Sequence, residues 1–174
     1  MWNKNVMKYV QGWLWGLGAI AAGIMLSSEV ASAQAAYGSY VGIGPTLGVT
    51  KDNDGDGQQI GGVIAARYKF LELPISLRTQ GFIGQGVAIV PTVSYDIPLN
   101  WQTDVYIGAG VAFAGGDTPS PVGNKISFAI QPGIDYMLPN SSTAVFGNAV
   151  IAFDAYRDGG GPAIAVQGGV GLRF

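Results

Sequence analysis

Seven charged side chains are the residues of this chain with the most scope for chemistry: Arg67, Lys69, Arg78, Asp96, Asp104, Asp135 and Arg173. Nothing stands beside them to make a conventional enzyme site. The 174 residues include no His and no Cys. The commonest general base and the commonest metal ligand are therefore missing, and no Ser-His-Asp arrangement can form. Disulfides, thiolate metal sites and a lipid-modified N-terminal Cys are excluded too. An aspartate dyad remains formally available. Three acids against four bases reads first as a salt-bridged, hydrogen-bonded plug, because such partners make interior charges tolerable. The functional alternative is an ion-selective constriction or a proton path.

A second cluster is Asp52-Asn53-Asp54-Gly55-Asp56-Gly57. It matches the first half of an EF-hand loop, in which carboxylates at alternate positions converge on a hard cation. The match then fails, since the twelfth position is Val63 where a bidentate Glu is needed. Asp52, Asp54 and Asp56 are weak calcium candidates. The plainer reading is a solvated hairpin loop, because Asp, Asn and Gly favour turns. Gly42-Ile43-Gly44 and Gly108-Ala109-Gly110 do not continue as phosphate loops. No cofactor is expected.

The elements that must position these residues show in the period-two alternation after Gln34. In Trp101 to Phe113 one parity reads Trp101, Thr103, Val105, Ile107, Ala109, Val111, Phe113. The other reads Gln102, Asp104, Tyr106, Gly108, Gly110, Ala112. Successive strand side chains point to opposite faces, so these segments are two-faced strands. Eight are expected, near 37–50, 58–70, 74–84, 86–97, 101–114, 124–138, 143–156 and 163–174. Connections near 71–73, 98–100 and 139–142 are short, and those at 51–57, 114–123 and 157–162 are longer. The connection near Gln85 is short where a long one would fit the alternation.

In this register nine charges fall within strands, the seven above with Lys125 and Asp154, and all nine share one face. That face otherwise holds Gly, Ala, Ser, Thr and Gln, while the other carries Val, Ile, Leu and aromatics. A water-facing exterior with so few charges would be poor. The chain is only 11% charged, against roughly 25% in soluble proteins. Turning the barrel inside out resolves this: apolar residues face lipid and small polar residues fill the interior. Closure is required as well, because lipid cannot satisfy an open sheet edge. Tyr37, Tyr68, Tyr95, Trp101, Tyr136 and Phe174 map to one end of the strands, a ring of amphipathic aromatics suited to a membrane–water boundary. Pro45, Pro91 and Pro132 fit badly inside strands and imply bulges or misplaced strand limits.

The N-terminal residues read as an address. Lys4 and Lys8 precede an apolar stretch from Trp13 to Leu26, followed by Ala31-Ser32-Ala33. This is the order of a cleavable helical signal peptide over 1–33. The expected mature chain, 34–174, carries seven basic and ten acidic residues, a net charge of 7 − 10 = −3. Neither charge nor motif suggests nucleic acid.

The last strand alternates apolar residues back from the terminal Phe, as Val166-Gln167-Gly168-Gly169-Val170-Gly171-Leu172-Arg173-Phe174. With the leader, it resembles the small outer-membrane β-barrel families, OmpA/OmpX-type and opacity-like. The resemblance implies an all-β, eight-stranded antiparallel up-and-down transmembrane barrel in the cell outer membrane. Its implied partners are outer-membrane lipid and the export and barrel-assembly machinery, which reads the terminal aromatic residue. A monomer without enzymatic activity is expected. The leading role is structural or surface-exposed, with Gly115-Gly116-Asp117-Thr118-Pro119-Ser120-Pro121 as the most exposed loop. The alternatives are a narrow pore for ions or small solutes and a soluble exported lipocalin-like barrel with an apolar interior.

Overall fold

The computed structural model describes residues 38–51, 59–116, 118–157, 159 and 161–174. The signal-peptide segment, Tyr37 and the Asp52, Asp54 and Asp56 triplet lie outside the described residues.

Eight strands follow one another along the chain: β1 Tyr40–Gly48, β2 Ile60–Lys69, β3 Ile75–Ile83, β4 Val87–Pro98, β5 Thr103–Gly115, β6 Ser127–Met137, β7 Thr143–Ala152 and β8 Ala163–Arg173. Each pairs antiparallel with its sequence neighbours, and β1 pairs with β8, so the sheet closes in simple up-and-down order. Closure leaves no edge whose backbone groups would lack partners in lipid. The 70–74, 99–102 and 138–142 connections lie at one end, the short-turn end. The other end carries the longer connections and the three-residue turn 84–86.

Alternation sorts the side chains into two environments. Ile43, Ile60 and Ile107 are 64%, 82% and 56% exposed on the outside, while Arg67 is 1% exposed within. Tyr68, Tyr95, Trp101, Tyr136 and Phe174 are also exposed. An exterior of branched aliphatic side chains around buried ions is the inverse of a water-soluble barrel.

Four sequence expectations need correction. Strands β6 and β7 are shorter than the alternation implies. Lys125 precedes β6 and Asp154 follows β7, in a turn where its φ is 53°. They pair with each other at the exposed loop end, so seven charges rather than nine lie within strands. Alternation in the flanking loops imitates strand periodicity without the ladder.

The prolines do not create bulges. Pro45 is registered with Gly62 on β2, but toward β8 the ladder passes from Ile43–Val170 to Thr46–Gln167. Pro91 pairs with Thr79 and interrupts the β5 side between Ile89–Phe113 and Thr92–Gly110. Pro132 pairs with Ile107 and interrupts the β7 side between Ile130–Ile151 and Gly133–Asn148. Register is the same across each gap, so each proline removes rungs from one neighbour without inserting a residue. Glycines make close approach feasible there. A Cβ on Gly110 would fall against the Pro91 carbonyl and lie 2.8 Å from Thr92 Cα. A Cβ on Gly44 would fall against the Gly168 carbonyl.

The interior is not uniformly small and polar. Toward the loop end it holds Val63, Phe82, Val90 and Val150, all buried. The loop expected to be most exposed also turns inward: Gly115, Gly116 and Thr118 are exposed, but 119–124 are buried. Asp117 lies outside the described residues.

Candidate functional site

The strands place six of the seven strand charges into one network. Arg67 and Arg78 are direct cross-strand partners on β2 and β3. Asp104 and Asp135 are direct partners on β5 and β6. Like charges side by side repel, so each wall of the lumen needs the other. Arg67 Nη2 donates at 2.7 Å to both Asp96 Oδ2 and Asp104 Oδ2. Its Nη1 lies 3.0 Å from Asp135 Oδ2, an ion-pair distance with poor hydrogen-bond alignment. Arg78 Nη2 donates to Asp135 Oδ2 at 2.8 Å and to Asp96 Oδ1 at 3.2 Å. Lys69 Nζ donates to Asp104 Oδ2 at 2.6 Å.

Hydroxyl groups complete the layer. Arg67 Nε donates to Ser76 Oγ at 3.1 Å, and Ser76 passes a hydrogen bond on to Asp96 Oδ2. Arg78 Nε donates to Ser94 Oγ at 2.8 Å, and Ser94 donates to Asp96 Oδ1 at 2.9 Å. Tyr40 donates to Asp135 Oδ1 at 2.9 Å. The Arg78 guanidinium carbon stands 3.3 Å from the centroid of the Tyr106 ring, a cation–π contact. Arg67, Arg78, Asp96 and Asp135 are nearly devoid of solvent contact. Burial of this kind is tolerable only because nearly every donor and acceptor meets a charged or hydroxyl partner.

Arg173 does not join. It lies on β8 at the short-turn end, where its Nη2 donates to the Ser141 carbonyl and its Nε has no partner. The network thus balances three cations against three anions. Sequence reasoning did not assign Tyr40, Ser76, Ser94 or Tyr106 to this site. Their inward parity was available, but parity does not say which groups meet across the lumen.

A neutral layer follows toward the loop end. Gln167 Nε2 donates to Gln80 Oε1 at 2.9 Å, Gln80 Nε2 to Asn148 Oδ1 at 3.1 Å, and Thr92 Oγ1 to Gln131 Oε1 at 2.6 Å. The site can hold charge and exclude solvent. Among the described residues, no cluster of metal-ligating side chains stands ready for a cation.

No family model matches the chain, and no curated protein matches it. Among solved structures it is similar to Neisserial surface protein A, with a TM-score of 0.57 at 14% identity, over 79% of this chain and 97% of that one. It is also similar to Ail, the attachment invasion locus protein of Yersinia pestis, with a TM-score of 0.52 at 18% identity, over 78% of this chain and 97% of that one. Both are small eight-stranded outer-membrane barrels. At these identities the likeness carries the fold alone, and it agrees with the inverted polarity: the chain is a closed, eight-stranded antiparallel transmembrane β-barrel.

Proposed function

We propose that this protein resides in the cell outer membrane in a structural or surface-exposed role, with no catalytic function, and that the ionic network plugs its interior. The observation that carries the reading is a three-against-three charge layer inside a wall whose outer face is aliphatic. A permanent aqueous channel would hydrate such charges, whereas here Arg67 and Asp135 are sealed by each other and by hydroxyls. Tyr68, Tyr95, Trp101, Tyr136 and Phe174 would sit at the membrane–water boundary. Residues 1–33 would be removed on export, and the terminal Phe174 would be read by the assembly machinery.

Recording from the refolded, full-length mature protein in planar bilayers tests the plug. A folded barrel should be silent. Steady single-channel steps altered by Arg78→Ala or Asp104→Ala would instead establish a narrow pore. Carbonate washing of cell envelopes tests the location, and release of the protein would defeat the membrane reading. N-terminal sequencing of the membrane-bound form should begin at Gln34.

A further inference from the structure

The connection between β5 and β6 closes on itself and folds back over the lumen. Ser120 and Gly123 exchange backbone hydrogen bonds, N to O, at 2.8 and 3.0 Å. Ser120 Oγ also donates to the Gly123 carbonyl at 2.7 Å and accepts from Val122 N at 3.3 Å. Gly123 has φ of 96°, a left-handed value that favours glycine. This small turn aims Val122 inward, where it is 0% exposed.

Three neighbouring connections hold it there. Gln59 Nε2, just before β2, donates to the Pro119 carbonyl at 2.7 Å, while its Oε1 accepts from Gln85 N at 2.7 Å. Asn124 N and Lys125 N both donate to the Ala155 carbonyl, at 2.9 and 3.1 Å. Arg157 N donates to Asn124 Oδ1 at 2.9 Å. In the β3–β4 turn, Gly86 lets the loop backbone lie close, since a Cβ there would stand 2.5 Å from the Thr118 carbonyl. Beneath, Val122 and Ala155 belong to the same apolar cluster as Phe82, Val90 and Ala88.

We propose that the segment 118–126 is a lid, with Val122 as an apolar stopper that seals the loop end of the lumen independently of the ionic layer. A solvated surface loop would present Val122 to water and leave Gln59 free. Here the side chain of Gln59 clamps two loops at once, and the mouth is roofed by buried backbone. The barrel is therefore closed twice, by packing at one level and by ion pairs at another.

The absence of Cys makes the test clean. Ala88→Cys lies buried in the cluster that includes Val122, and Gly115→Cys lies at an open, exposed position. Both are exposed to a charged, membrane-impermeant maleimide in the refolded barrel, with folding verified by heat-modifiable migration. Local protection should make Ala88→Cys react at least about tenfold more slowly than Gly115→Cys. Adding Gly86→Val, which pushes on the Thr118 carbonyl, should remove most of that protection. Adding Gln59→Ala, which only deletes the clamp, should remove part of it and serves where the larger substitution prevents folding. Equal labelling of the two cysteines in the otherwise unaltered barrel overturns the proposal. So does full protection of Ala88→Cys in a folded Gln59→Ala barrel. Neither result bears on the ionic plug, which is read by conductance.

Discussion

Arg67 shows how one residue can organise a layer. Its guanidinium reaches all three aspartates and Ser76. Removing it leaves three carboxylates facing one another with only Arg78 and Lys69 to balance them. Arg67→Gln should cost about 3–5 kcal/mol, because a buried charge without its partner is far worse than no pair at all. Urea unfolding in lipid vesicles measures this. Combining it with Asp104→Asn should cost less than the sum of the single changes, since the two groups touch and their losses are coupled. Additive losses would mean that the pair is energetically independent. The charged members of this site were legible in the sequence because a charge on a Gly- and Ala-rich strand face has nowhere else to go. The serines and tyrosines were not, since their choice of partner depends on which strands face each other across the lumen.

The strands accommodate prolines at a different scale. Each of Pro45, Pro91 and Pro132 keeps one neighbour in register and forfeits rungs to the other. The strand survives because the lost bonds are confined to one side and the barrel holds the register elsewhere. Close approach at the gap depends on glycine. Gly110→Ala should destabilise the barrel by ~1–3 kcal/mol, because its Cβ has to displace the Pro91 backbone. Gly115→Ala, with nothing within 4 Å of the new Cβ, should leave the urea midpoint unchanged. Equal effects would show that the gap is loose. The prolines were conspicuous in the sequence, but their solution was hidden, because a bulge and a skipped rung need the same local residues and differ only in cross-strand register.

For the whole molecule, the decisive variable is the medium outside the wall. Val93, midway along β4, is 53% exposed. In water a lysine there would be nearly neutral in effect. Facing the hydrocarbon midplane it should cost about 2–4 kcal/mol. Val93→Lys should therefore lower the unfolding midpoint of the bilayer-inserted barrel, whereas Gly115→Lys, at the loop end of β5, should not. An unaltered midpoint for Val93→Lys would place that face in water. Within that wall the two sets of contacts are distinct: ion pairs span the lumen from strand to strand, and the 119–124 segment is held by neighbouring connections at one end.

The sequence by itself determined the number of strands, their two-faced character, the inward placement of charge and the outward placement of the isoleucines. Each follows from a periodicity of two along the chain, a local property that needs no knowledge of neighbours. Only the tertiary structure decided that the charges balance three against three with Arg173 left aside, that valines and Phe82 share the interior near one mouth, and that residues 119–124 fold in rather than out. Those outcomes depend on contacts between residues far apart in the chain, and strand parity carries no information about distance across a lumen.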